Sequence, residues 1–217
     1  MFNKIDFETW ERKEHFNYYT NLVKTNYSLT AELDITLLLE KIKEKNLKFF
    51  PTMLFCIIKG VNQNKEFRTD YDNEGNLGYW DYVVPSYTIF HRDDKTFSDI
   101  WSEYDENFKI FYKNVIEDIE KYKDVKGIKA KSGRGKNFCP ISCLPWLSFT
   151  SCADDTYTES KMLFPVITFG KYFEKHKKTF VPISIFINHA VADGYHTCKL
   201  INDIQEIINK IETWIEK

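Results

Sequence analysis

The stretch Phe186–His196, FINHAVADGYH, decides how the rest of the chain is read. Leading into it, Val181, Ile183, Ile185 and Ile187 alternate with Pro182, Ser184, Phe186 and Asn188, the period of two of a strand with one face on a core. After Gly194 the period changes. Ile201, Ile204, Ile208, Ile211 and Ile215 recur every three or four residues, which predicts an amphipathic helix over 195–215. His189 therefore falls where a strand ends, and Asp193 where a helix begins. An imidazole is the natural base near neutral pH. It needs a fixed tautomer, and hence a fixed acceptor for one ring nitrogen. Asp193 could orient it, or could brace the corner through a cation elsewhere, with Gly194 easing the backbone into the helix. The plain alternative is a polar surface turn.

The bulk properties frame this corner. The 217 residues read as one domain, 1–217, without linker or repeat, and are long enough to bury a large core. Hydrophobic residues make up 43% and aromatic residues 17%, so core and pocket should be rich in Phe and Tyr. A formal net charge of -2 is a poor footprint for nucleic acid or a membrane surface. Cys56, Cys139, Cys143, Cys152 and Cys198 show no paired metal-ligand spacing, so isolated thiols and no metal site are expected. The amino-terminal stretch MFNKIDFETWERKEHF lacks an apolar export segment, and no apolar run approaches a membrane span. A soluble cytoplasmic protein is the expectation.

Along the chain, DITLLLEKIKEKN carries Ile35, Leu38, Leu39 and Ile42 on one face, with Asp34 or Thr36 as cap, and predicts a helix. PTMLFCIIKGVNQN predicts a more buried helix with Pro51 in its first turn. EFRTDYDNEGNLGYWD reads as a hairpin and PSYTIFH (85–91) as a strand. FSDIWSEYDENFKIFYKNVIEDIEKYK reads as one long amphipathic helix. The loop 125–138, VKGIKAKSGRGKNF, carries cations and no acid; it is either a solvated loop or a mobile basic flap that attracts phosphate. Three strand-like runs follow, at 141–151, 162–172 and 179–190. Strands interspersed with helices indicate an α/β sandwich, a sheet covered by helices.

NHAVADGYH resembles the H-H-A-x-x-D-G-x-H signature of CoA-dependent acyltransferases, most closely the chloramphenicol acetyltransferase family. WERKEHFNYY (10–19) is similar to that family's W-x-R-x-E-H-F block. YSLTAELDIT, KFFPTML, PSYTIFH, ISCLPW and FPVITFGKY resemble further blocks in the same order, over nearly the whole chain. The resemblance implies a compact two-layer α/β sandwich, a mixed β-sheet covered by helices. It implies a homotrimer with active sites at subunit interfaces, the histidine coming from one subunit and much of the acceptor pocket from its neighbour. The implied reaction is direct transfer of acetyl from acetyl-CoA to a hydroxyl, giving antibiotic resistance. His189 would be the general base, Ser142 the oxyanion donor, and Asp193 and Arg12 a structural ion pair. Thr168 would hold a water near the intermediate. Tyr19, Val23, Tyr27, Thr88 and Phe97 fall where the family lines its acceptor pocket, and Trp146, Lys171 and Tyr172 near its CoA channel. On the residues alone, Ser142 reads as an internally bonded hydroxyl, Arg12 as an exposed helix charge, and the aromatics as core.

The chain departs from the family pattern at four places. Asn188 stands for the first signature histidine, Ala192 for a cysteine, and Pro140, which has no N–H to donate, for an asparagine. FTSCADD, with Cys152 and Asp154, replaces an F-D-x-F-N-L type segment, making that wall smaller and more acidic. The acceptor side is therefore where a different hydroxyl substrate is expected to show itself, and Asn188 and Pro140 leave open a non-catalytic relative that binds the drug or CoA.

Overall fold

The computed structural model describes residues 1–155 and 160–216. In chain order its elements are β1 (Phe2–Lys4), α1 (Lys13–Asn17), a π-helical turn (Tyr18–Leu22), β2 (Asn26–Asp34), α2 (Thr36–Glu44), α3 (Phe49–Gln63), a 3-10 turn (Lys65–Arg68), β3 (Thr69–Tyr71), β4 (Leu77–Trp80), β5 (Val84–Phe90), β6 (Phe97–Trp101), α4 (Phe108–Tyr122), β7 (Phe138–Leu144), β8 (Val166–Gly170), β9 (Phe173–Lys175), β10 (Lys178–Asn188) and α5 (Gly194–Asn209). The main sheet runs β2-β10-β8-β7-β5-β6, with β9 also on β10. β7 pairs in parallel with both β5 and β8 and the other neighbours are antiparallel, so the sheet is mixed. A small sheet β1-β4-β3 lies apart.

The period of two in β10 sorts the sheet into two unlike faces. Val181, Ile183, Ile185 and Ile187 are completely buried, as are Ile167 and Phe169 of β8, on the side covered by α3 and α5. The other face carries Ser and Thr. In register, Thr30, Ser184, Thr168 and Ser142 stand side by side on β2, β10, β8 and β7. Thr30 donates to Ser184 Oγ at 3.1 Å, and Ser184 donates to the Cys152 carbonyl at 2.6 Å, which lays the 149–155 segment over this row.

α3 and α5 approach closely at Gly60. A Cβ there would sit 2.6 Å from Ile204 Cγ1, inside a completely buried contact. Gly60→Ala gains helix propensity but forces a branched core side chain aside. The expected outcome is a net loss of about 1–2 kcal/mol, read as a lower urea midpoint at unchanged slope.

Several expectations change in detail. The helix expected over 97–123 covers only Phe108–Tyr122. Residues Phe97–Trp101 are β6, which buries Ser98 and Ile100 completely, and Asn107 then caps α4 by accepting from the Ile110 N–H at 3.2 Å. Alternation over five residues was too short to stand out beside a strongly periodic helix. The run 141–151 leaves the strand after Leu144, at Pro145, and 162–172 is a strand only over Val166–Gly170. The terminal helix stops at Asn209 and gives way to a 3-10 turn, Ile211–Thr213. The N-cap position of α2 is Ile35 rather than Asp34 or Thr36, and Asp34 just before it accepts from the Thr36 N–H and hydroxyl at 3.0 and 2.6 Å.

The loop 125–138 is tied down by acids on its neighbours. Lys126 bonds Asp93 and Asp94, Lys131 bonds Asp118, and Arg134 bonds Asp99 and Ser86 while lying 3.9 Å over the Phe138 ring. Three of its cations are thus neutralised locally, which favours the bland reading over a phosphate-seeking flap. Among the described residues no helix is long and apolar enough to cross a membrane.

Candidate active site

β10 ends at Asn188 and α5 starts at Gly194, so the five residues between form the corner. Asn188 closes it, its Oδ1 accepting from the Ala190 N–H at 2.9 Å and its Nδ2 donating to the Met162 carbonyl at 3.3 Å. An asparagine therefore serves this position. Asp193 is extended (φ -124, ψ -175) and caps α5 by accepting from the Tyr195 N–H. Gly194 is the first helical residue and lies outside the left-handed region; the turn is made at Asp193, and glycine's freedom is not what the corner uses.

His189 is held by its backbone and by its ring face. Its N–H donates to the Thr25 carbonyl at 2.9 Å. Its ring stacks on Tyr19 at 3.9 Å and 7°, and Tyr27 tilts against it at 5.0 Å. Nδ1 is buried and, among the described residues, has no hydrogen-bond partner. Nε2 is thus the nitrogen left to meet a substrate, and the stack rather than an acceptor sets the ring plane. Asp193 does not orient the imidazole. Of the two roles considered for it, the brace through a cation is the one observed.

That cation is Arg12. Its Nη2 donates to the His189 carbonyl, its Nε to the Ala190 carbonyl and its Nη1 to Asp193 Oδ2, all at 2.9 Å. Its side chain is only 12% exposed, so it is no free helix charge. One planar fork thus spans the peptide of His189 and the helix cap. Burial pushes the Asp193 carboxyl up, but the Arg12 hydrogen bond and the charges of His196 and Arg12 outweigh it and hold it at about 2. A carboxylate depressed from its ordinary 3.8 contributes stability that is present above that value and lost as pH falls toward 2. Asp193→Asn is expected to cost about 1.5–3 kcal/mol at neutral pH, with the gap from wild type closing between pH 4 and pH 2 in urea titrations.

Ser142 and the buried Thr168 lie side by side on the sheet face opposite the helices, far from this corner. Ser142 is half-buried, and its hydroxyl makes no hydrogen bond among the described residues, unlike the internally bonded serine that burial alone would suggest. Thr88 follows Tyr87, the Cα partner of Ile141, and so extends the row toward β6, where Phe97 is 49% exposed. Past the ends of β7 and β8, Ser148 donates to the Lys171 carbonyl and the Lys171 N–H to the Leu147 carbonyl. This brings Trp146, Lys171 and Tyr172 together at one edge, all exposed, and the Lys171 ammonium has no partner among the described residues.

The site residues thus form two groups. His189, Tyr19, Tyr27, Val23, Arg12 and Asp193 gather at the corner; Ser142, Thr168, Thr88 and the Trp146 edge gather across the sheet. His189 is five residues beyond Ser184, which is level with Thr168 and Ser142. At about 3.3 Å per residue, and two strands across, His189 and Ser142 are on the order of 18 Å apart in one chain. The aromatic partners Tyr19 and Tyr27 pack on the histidine of their own chain. A cavity of about 960 Å³ opens beside the corner, lined by Tyr19, Asn26, Asp70, Lys136, Met162 and Asn188. Among the described residues no cluster of three or more His, Cys, Asp or Glu is placed to hold a metal ion.

The fold is of the chloramphenicol acetyltransferase type. Solved structures with this fold include two that are named as acetyltransferases. A chloramphenicol acetyltransferase matches with TM-score 0.84 at 23% identity, over 96% of this chain and 100% of its own. The dihydrolipoamide acetyltransferase of Azotobacter vinelandii matches with TM-score 0.64 at 15% identity, over 90% and 88%. The family model described as chloramphenicol acetyltransferase matches residues 1–205. Chloramphenicol acetyltransferases of Clostridium perfringens and Clostridium butyricum are 47% and 46% identical, each over 99% of this chain and 98% of the relative. One from Staphylococcus intermedius is 42% identical over 99% of both. The chain belongs to the chloramphenicol acetyltransferase family and is an acyltransferase.

Sequence reading missed His196, which touches Asp193, and the Tyr27–Thr197 hydroxyl contact of 2.6 Å. The last histidine of NHAVADGYH was the available signal for the first. Nothing in the sequence pointed to the second.

Proposed function

We propose that this single acetyltransferase domain, residues 1–217, transfers acetyl from acetyl-CoA to a hydroxyl of chloramphenicol in the cytoplasm, as a homotrimer. His189 Nε2 takes the proton of the acceptor hydroxyl as its oxygen attacks the thioester carbonyl. The C–O bond forms, the C–S bond breaks, and the proton returns to the CoA sulfur. Ser142 donates to the transient oxyanion, with a water held by Thr168 beside it. Tyr19, Val23, Tyr27, Thr88 and Phe97 surround the acceptor, and Trp146, Lys171 and Tyr172 receive CoA, Lys171 as a cation for its phosphates.

The observation that carries this reading is the free Ser142 hydroxyl on the order of 18 Å from the base of its own chain. A base on the acceptor hydroxyl and a donor to the oxyanion act at one tetrahedral centre, so this separation supports a site shared between two copies. Cyclic assembly repeats that junction at every interface. The test is release of free thiol from acetyl-CoA with chloramphenicol. Turnover above background is expected, and its absence would refute the reading.

A second reading keeps the chemistry and changes the acceptor. The segment at 149–155 lies over the Thr30–Ser184 row and presents exposed Asp154 beside half-buried Cys152. An acidic rim favours hydroxyl acceptors that carry a cation. An acceptor panel in which such compounds exceed chloramphenicol in kcat/KM would establish this reading in place of the first.

A further inference from the structure

His196 occupies the first turn of α5 and is the residue through which that helix grips the corner. Its Nδ1 lies 2.8 Å from Asp193 Oδ1 and 3.3 Å from the Asp193 backbone nitrogen. One ring nitrogen cannot serve both: a proton on it serves the carboxylate, a lone pair serves the N–H. The shorter contact, to an ionised oxygen, selects Nδ1–H. The two oxygens of Asp193 are then held from opposite sides, Oδ2 by Arg12 and Oδ1 by His196. Arg12, so held, carries the carbonyls of His189 and Ala190.

We propose that His196 is a positioning residue for His189, acting through Asp193 and Arg12 by its Nδ1–H donor. The inference rests on His189 being the base. The surroundings leave Nε2 a weaker part. It faces Glu66 of the 3-10 turn at 4.0 Å, beyond a hydrogen bond. A cavity of about 520 Å³ adjoins the ring. The charged groups facing it there are Asp6, Glu11, Arg12 and His15 from the amino-terminal segment and Lys65 and Glu66 from the turn, with the Tyr79 phenol on β4. The Nδ1 contact is the one that reaches the base, and it is made by the neutral ring and the imidazolium alike.

Asparagine and glutamine separate the two nitrogens. The amide nitrogen of His196→Asn falls at the place of Nδ1, and that of His196→Gln at the place of Nε2. His196→Asn is expected to keep kcat within about threefold of wild type, while His196→Gln loses about tenfold or more with KM for both substrates little changed. Both variants keep a polar side chain in the same helix turn, so a mere effect on folding would move them together. Equal kcat values for the two, or the reverse order, would overturn the inference. His189→Ala is measured alongside. If it retains turnover, the base assignment fails and the inference with it; if it is inactive while the two His196 variants match, the inference alone fails.

Discussion

His189→Ala is expected to lose turnover of chloramphenicol by about 10²–10⁴-fold, with the fold and assembly unchanged. The ring contributes no hydrogen bond to the scaffold among the described residues: Nδ1 is unpartnered, and the corner is held by the His189 backbone. Removing it therefore deletes the proton acceptor and one face of the Tyr19 stack, and little else. KM for acetyl-CoA should change little, because the proposed partner of His189 is the acceptor hydroxyl and not CoA. Thiol release at saturating acetyl-CoA reads the loss, and circular dichroism reads the fold. A variant with wild-type kcat would remove His189 from the mechanism.

The second large effect is a recovery. Ser142→Ala alone is expected to fall by about 10²-fold, as for a lost oxyanion donor. If each site takes its histidine from one copy and its serine from the next, the two defects lie in different halves of a site. Equal amounts of His189→Ala and Ser142→Ala chains, unfolded together and refolded, should then regain about one quarter of wild-type turnover. Each interface has one chance in two of an intact histidine and one in two of an intact serine. Refolding each variant separately and then mixing should regain nothing until subunits exchange. If co-refolding yields no more than the sum of the separate variants, both groups act within one chain, and the distance argument fails.

The same separation explains what was legible beforehand. His189 and Asp193 could be found from one short stretch because a change of period, from two to about three and a half, marks a strand-to-helix corner. Ile183, Ile185 and Ile187 could be placed in the core for the same reason, and each is completely buried. Residues 97–101 could not be read as a strand, because their burial depends on β5 pairing alongside them and not on their own pattern. Gly194 was given a role that belongs to the backbone of Asp193, since the identity of a residue does not state its φ.

The sequence by itself determined the family, through blocks of residues in a fixed order, and with it the class of reaction. It also determined the two-faced character of β10, because alternation is a local property of the chain. Only the tertiary structure decided what Asp193 does. Arg12 is distant in sequence, and only folding shows that its fork joins the His189 peptide to the helix cap. Only the structure showed that Ser142 makes no hydrogen bond among the described residues, that three cations of loop 125–138 are paired with neighbouring acids, and that His196 holds the second oxygen of Asp193. Hydrogen bonds and ion pairs are short-ranged and directional, so their partners are set by where distant segments come to rest, whereas hydrophobic period needs only the next few residues.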